Sequence, residues 1–355
     1  MAGVDINSEE EHFVGQIRRA KESGTPLEIV GGATKRFYGR PVTGEQLVTT
    51  GNRGIVEYEA PELVITVRAG TRLVDVERTL AEQGQILPFE PPQFGHESTI
   101  GGVIAAGLSG PRRPYAGAVR DAVLGVRVMT STAESLNFGG QVMKNVAGYD
   151  VSRLMTGAMG TLGLLLLVSI RVAPRPQCER TAVWEMTEVD AHKRMLALAR
   201  QSLPITAVCF DGNLLRVRIA GTDSAVIDAE RTLAPDSIEP VSYWQELRDQ
   251  RLPFFRSSDP LWRLSLPPAS KSIDLPGKCL WDWGGACRWL ISDAPADQIR
   301  RLASATGGHA TLFRSESNES PFTPLGAVNL RIHRRLKKTF DPARIFNPGR
   351  MYADI

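Results

Sequence analysis

Between Thr99 and Gly163 the chain alternates short apolar runs with glycine turns, and this rhythm limits what the sequence can fold into. The turns come in order. Thr99-Ile100-Gly101-Gly102 is followed by Gly107-Leu108-Ser109-Gly110, then Gly117-Ala118-Val119-Arg120-Asp121. Asn145-Val146-Ala147-Gly148-Tyr149-Asp150 and Met159-Gly160-Thr161-Leu162-Gly163 complete the series. A further turn at Gly31-Gly32 precedes them. Glycine permits positive φ and close approach of a ligand to the backbone. Successive bare N–H groups in such turns make anion-binding concavities. One turn of this kind is weak evidence; the ordered series predicts a chain wrapped along a large phosphate-bearing cofactor.

The flanking elements predict an α+β fold. Ser8 and Glu11 have capping-box spacing, Phe13, Val14, Ile17 and Ala20 follow on one helical face, and Gly24 stops the helix. Leu27–Val30 is a short strand running into the loop 31–35. A second unit has a strand at Leu63–Ala69, a turn at Gly70, an N-cap at Thr71 and a helix burying Leu73, Val76 and Leu80 up to Gly84. A strand at 85–88 and apolar strand-like runs at 122–129 and 162–172 follow. Pro174-Arg175-Pro176 marks a domain boundary. Beyond it residues 181–232 read strand, helix, strand, strand, helix. A similar order recurs after Trp262, which predicts a ferredoxin-like sheet. Residues 324–355 read as a helix with late Lys and Arg, then Phe340-Asp341-Pro342 and Asn347-Pro348-Gly349-Arg350. Leu325, Val328, Ile332 and Leu336 fall near helical spacing opposite Arg334, Arg335, Lys337 and Lys338; the segment is expected to pack on the first domain, or its basic face to dock an acidic partner or a lipid surface as well.

Composition excludes several classes. At 355 residues two domains are expected, and 42% apolar with 23% charged residues fits a globular protein. A net charge of +3, with no basic block interleaved with aromatics, argues against nucleic acid. The longest apolar stretch, 162–170, is about half a membrane span. An acidic start at Glu9-Glu10-Glu11, with no signal-like segment, points to the cytoplasm. Cys178, Cys209, Cys279 and Cys287 show no Cys-x-x-Cys spacing, so neither an iron–sulfur cluster nor a zinc site is expected. No metal site is predicted.

The ordered motifs resemble the FAD-binding domain of the vanillyl-alcohol-oxidase/PCMH-type flavoprotein superfamily. The strand and Gly-Gly loop near residue 31, Ala69-Gly70-Thr71, Thr99-Ile100-Gly101-Gly102, Gly148-Tyr149-Asp150, Gly160-Thr161-Leu162-Gly163 and the closing Asn347-Pro348-Gly349 carry the likeness. Gly110-Pro111-Arg112-Arg113-Pro114, residues 142–150, Asp282-Trp283-Gly284-Gly285-Ala286 and Gly307-Gly308-His309-Ala310-Thr311 are similar to the FAD-binding subunits of bacterial glycolate oxidases. The resemblance implies a PCMH-type FAD-binding domain over 1–175, split into α/β subdomains 8–60 and 61–175. It implies a cap domain over 176–320 and a C-terminal segment 321–355 returning to the first domain.

The same resemblance implies FAD contacts. Backbone N–H groups of Gly31, Gly32, Ala33, Thr34 and Lys35 would surround one phosphate, and those of Ser98, Thr99, Gly101 and Gly102 the other. Gly110, Gly117, Asp121, Gly148, Tyr149, Gly160, Thr161 and Gly163 complete the expected set. Lys35 and Arg120 also read as plain surface charges, and Tyr149 as a core tyrosine. The loop 31–35 has no histidine to attach flavin, so FAD is expected to be non-covalent. The related His-x-Gly-Asp-Gly-Asn metal motif is absent among His12, His96, His192, His309 and His333. His309 is the candidate catalytic proton acceptor. Arg263 and Arg314 are the candidates for a substrate carboxylate, because guanidinium matches it bidentately.

The implied function is the FAD-binding subunit of a glycolate oxidase complex, oxidising glycolate or a related D-2-hydroxy acid. The implied partners are a sister flavoprotein subunit bearing the hydroxyacid site and an iron–sulfur subunit, with peripheral membrane association through them. Two other readings stay open: a self-sufficient FAD-dependent 2-hydroxyacid oxidoreductase, and an assembly subunit whose FAD is structural.

Overall fold

The structure, a computed structural model, describes residues 8–140, 150–274, 276–317 and 319–355. The helix Ser8–Ser23 buries Phe13, Ile17 and Ala20 against a two-stranded parallel sheet, Leu27–Val30 with Glu45–Val48. Gly24, at φ 68°, turns the chain out of the helix. The C-terminal segment joins this layer: the Leu27 N–H donates to the Ile345 carbonyl at 2.7 Å and the Asn347 N–H to the Leu27 carbonyl at 2.9 Å.

A five-stranded antiparallel sheet follows, in the order 55–59, 64–68, 164–171, 123–129, 135–139. Its hairpin begins at Ile55, ahead of the expected subdomain boundary at 60, because the turn at 60–63 needs both of its strands in one sheet. Helices Leu73–Glu82 and Ile100–Ala106 cover one face around Ile65, Val67, Leu73 and Ile104. The N-cap of the first of these helices is Arg72 rather than Thr71, whose hydroxyl instead donates to the Arg68 carbonyl at 2.7 Å. The strand expected at 85–88 shrinks to Gln85–Ile86, paired with Ala173–Pro174.

The chain then enters an eight-stranded sheet ordered 237–239, 178–185, 214–221, 205–210, 278–282, 287–291, 261–265, 309–314. It consists of two ferredoxin-like halves lying edge to edge. They meet where Phe210 pairs with Trp281. Among the described residues, the second half has no helix between its first two strands. Strand Ile205–Phe210 shows why residues 207–210 read as an unbroken apolar run: Val208 and Phe210 pack under the helices, while Ala207 and Cys209 face the first domain. The seam between the sheets is aromatic, with Tyr38, Trp244 and Phe313 in one cluster.

Candidate functional site

Two neighbouring chambers, one inside the first domain and one at the seam, share Tyr38, Ala106 and Met159 in their walls. The first is a cleft between the loop 31–35, the helix Ile100–Ala106 and the turn 159–165. The second is lined by three arginines, Arg113, Arg120 and Arg263.

The first loop forms as its glycines demand, though for a reason the sequence hides. Gly31 and Gly32 do not take positive φ; Ala33 does, at 56°. The glycines are needed because two loops cross. A Cβ on Gly32 would stand 1.4 Å from the Glu97 carbonyl oxygen, and one on Gly31 would stand 2.4 Å from Thr99 Oγ1. The loop is held from its carbonyl side. The Arg350 guanidinium donates to the carbonyls of Lys35, Arg36, Tyr38 and Arg40 at 2.7–3.3 Å. Among the described residues, the N–H groups of Gly31, Gly32, Ala33, Thr34 and Lys35 have no protein acceptor. All five residues line the cleft. Lys35 is no plain surface charge: Nζ donates to Ser98 Oγ at 2.7 Å, and burial lowers its pKa to about 8 against the nearby charge of Asp249. Five unpaired donors beside a cation, with Ala69, Ala105 and Leu165 for apolar walls, suit a phosphate-bearing cofactor with a flat ring system.

The second loop differs from expectation. Three of its four N–H groups are already used: Ser98 donates to Gly95, Gly101 to Ala69 at 2.7 Å and Gly102 to Thr99 Oγ1 at 3.2 Å, which leaves only that of Thr99 among the described residues. Thr99, Gly101 and Gly102 still line the cleft, while Ser98 is buried behind it as the partner of Lys35. Gly160, at φ 71°, and Gly163 line the opposite wall. Thr161 does not: it is buried, and its hydroxyl donates to the Ala158 carbonyl at 2.7 Å.

Gly110, Gly117 and Asp121 support the site without lining the cleft. A Cβ on Gly110 would meet the Glu90 carbonyl oxygen at 2.3 Å. Gly117 turns at φ 89°, and Asp121 Oδ2 accepts the Ala118 N–H at 2.9 Å. Gly148 and Tyr149 lie outside the described residues.

Of the candidate substrate residues, only Arg263 reaches the second chamber. Burial pulls its pKa down, but the Cys287 thiol, the Tyr38 hydroxyl and Asp282 together hold it above its ordinary value. Arg314 is exposed and donates to the Phe255 carbonyl at 3.3 Å. Phe313 takes the seam side of that strand, so the next side chain points away. His309 opens the same strand, largely exposed, and lines neither chamber. Partial burial, then the charge of Arg263, lowers its pKa. Among the described residues no carboxylate or imidazole lines the arginine chamber.

Sequence reasoning missed Tyr38, Arg113, Asn347 and Arg350. The motif Asn347-Pro348-Gly349-Arg350 was visible; its partners Ile29 and Arg40 lie more than 300 residues earlier. Among the described residues no group of three His, Cys, Asp or Glu side chains is placed to hold a metal ion. No described helix is long and apolar enough to cross a membrane.

Comparison with known proteins agrees with this geometry. Residues 2–139 match the family model described as an FAD binding domain, and residues 322–351 match the C-terminal domain of FAD linked oxidases. The chain is 47% identical to the glycolate oxidase subunit GlcE of Escherichia coli, over 96% of each chain. It is 31% identical to the glycolate oxidase subunit GlcD of Bacillus subtilis over 46% of this chain and 35% of that one. It is 29% identical to a D-lactate dehydrogenase of Archaeoglobus fulgidus over 56% of this chain and 44% of that one. The fold is shared with an alkyldihydroxyacetonephosphate synthase structure, with TM-score 0.67 and 15% identity over 95% of this chain and 75% of that one. The chain therefore belongs to the FAD-linked oxidases, in the family that includes the glycolate oxidase subunit GlcE, and FAD is its cofactor.

Proposed function

We propose that this chain is the FAD-binding subunit of a glycolate oxidase complex, acting on glycolate or a related small D-2-hydroxy acid. The observation that carries the reading is the adjacency of two chambers with shared walls, one with five unpaired N–H donors and the next with arginines. When bound, FAD supplies the two-electron redox chemistry. The chain's own residues bind and orient. The N–H groups of residues 31–35 and the Lys35 ammonium hold phosphate oxygens without a covalent link. Ala69, Ala105 and Leu165 exclude water from the cleft wall. Arg263 receives the substrate carboxylate at the seam.

The arginine chamber offers no base for the hydroxyl proton, and His309 stands outside it. A general base is typically worth about 10²–10⁴ in rate. The complete reaction therefore draws on a partner: a sister flavoprotein subunit resembling GlcD, with an iron–sulfur subunit carrying electrons onward. In this reading the protein is cytoplasmic and meets the membrane only through those partners. The test is glycolate oxidation by the purified chain and by the same chain co-expressed with its partner subunits. Activity confined to the complex supports the subunit reading. Equal activity of the chain alone supports a self-sufficient enzyme, and flavin that stays oxidised while the complex turns over supports a structural role.

A further inference from the structure

Two arginines in the second chamber lack the carboxylate partner that Arg112, Arg218 and Arg248 have. Arg112 pairs with Glu90 at 3.1 Å, Arg218 with Glu90 at 2.8 Å and Arg248 with Asp249 at 2.9 Å. Among the described residues, no carboxylate comes within ion-pair distance of Arg113 or Arg263. Both guanidiniums lie over the same indole. Arg113 Cζ is 4.4 Å and Arg263 Cζ 4.9 Å from the Trp283 ring centre. Burial, then the charge of Arg263, lowers the pKa of Arg113. Two like charges on one indole with no carboxylate in direct contact are costly unless an anion joins them.

The platform beneath them is fixed. Trp283 Nε1 donates to the Gly110 carbonyl at 3.0 Å, and the Trp283 N–H donates to Asp282 Oδ1 at 2.7 Å. Trp283 takes φ 54°, an unusual conformation for a bulky residue, followed by positive φ at Gly284 and Gly285. Backbone strain of this kind persists where the surroundings over-determine it, often at a ligand site. The carbonyl that anchors the indole belongs to the first domain, as does Arg113, whereas Trp283 and Arg263 belong to the eight-stranded sheet.

We propose that Arg113 and Arg263, laid on Trp283 from opposite sides of the seam, form one anion site that takes the carboxylate of a small 2-hydroxy acid. The proposal rests on the reading that the adjoining cleft holds FAD and adds Arg113 as the second fork of the clamp. Two planar forks with the phenol of Tyr38 beside them suit a carboxylate. A phosphate group of the cofactor offers the same chemistry, so the test must separate the two sources.

The experiment titrates oxalate, a two-carbon carboxylate with no C–H bond to oxidise, into the FAD-loaded chain and follows the flavin absorption band and the heat of binding. Oxalate is expected to bind the unaltered chain. Arg113→Gln and Arg263→Gln should each weaken it roughly ten- to hundred-fold, the loss of one or two charge-assisted hydrogen bonds, with flavin content unchanged. Arg113→Lys keeps the charge without the fork and should recover only part of the affinity. No oxalate binding by the unaltered chain, or binding by both Gln variants as tight as by the unaltered chain, overturns the site. Loss of FAD from the variants also overturns it, because the arginines then hold the cofactor. An unaltered chain that takes up no FAD contradicts the cofactor reading instead; the heats of oxalate binding then decide the anion site by the same criteria.

Discussion

The side-chain amide of Asn347 donates to the Met159 carbonyl at 2.6 Å, across 188 residues of sequence. The same side chain accepts the Ile29 N–H at 2.7 Å, so one residue ties the first strand to the far wall of the cleft. Asn347 takes φ 41°, a left-handed conformation that asparagine tolerates better than most residues. Asn347→Ala removes both bonds and leaves a buried N–H and carbonyl unpaired. It should cost about 2–4 kcal/mol, at roughly 1–3 kcal/mol for each group stranded. Chemical denaturation and flavin content measured together should show both stability and FAD retention falling.

Gly32 and Gly102 should respond differently to the same added methyl. At Gly32 the Cβ would overlap the Glu97 carbonyl oxygen at 1.4 Å; at Gly102 its nearest neighbour is Thr99 Oγ1 at 3.2 Å. Gly32→Ala must push the crossing loops apart and should abolish FAD uptake. Gly102→Ala should fold and bind flavin more weakly. Equal flavin content in the two variants, by absorbance, would remove the crossing-loop explanation.

Glu90 fastens the two sheets together. Its carboxylate accepts from Arg112 on one side of the seam and Arg218 on the other. Burial pushes its pKa up, but the two guanidiniums outweigh burial and hold it below the ordinary 4.5. A lowered folded pKa means the contribution is present above the unfolded value and lost as pH falls through the folded one. Glu90→Gln should cost about 3 kcal/mol, the low end for breaking a buried ion pair because the side chain keeps 16% exposure. It should also flatten the stability profile on the acid side. Urea midpoints at neutral and acid pH would show whether the loss is confined to neutral pH.

Asp282 predicts the opposite pH dependence. Burial raises its pKa from the usual 3.8 to about 7. The folded state then binds a proton that the unfolded chain has released, so stability falls as pH rises from about 4 to 7, by at most about 1.4 kcal/mol per pH unit. Asp282→Asn keeps the acceptor for the Trp283 N–H and removes the titration. Its urea midpoint should rise relative to the unaltered chain at pH 8 and match it, or fall below it, near pH 4. A variant with the parent's pH profile would refute the assignment.

What the sequence made legible was local. The helix at Ser8, the strand into Gly31 and the element order of the cap follow from periodicity and glycine punctuation, and the structure has them. Long-range partners were not legible. Nothing near Lys337 signals that it turns inward, where Nζ donates to the Thr161 and Phe346 carbonyls beside Asp341. The helical pattern assigned Lys337 to a basic surface face. It placed Val328 and Ile332 in a packed stripe, yet they remain 59% and 48% exposed. Arg263 and Arg314 were equivalent in sequence; only the side of the strand that each occupies separates them. Arg113 was visible within a motif, but its lack of a direct ion pair is a fact of three dimensions.

The central claim is that the unpaired N–H groups of residues 31–35 hold FAD without a covalent bond. The flavin spectrum of the purified chain, before and after acid precipitation, tests it most directly. The account predicts one FAD per chain, released into a yellow supernatant by acid and lost from Gly32→Ala. Flavin retained on the precipitate, or a colourless chain that takes up no FAD when it is supplied, would contradict it.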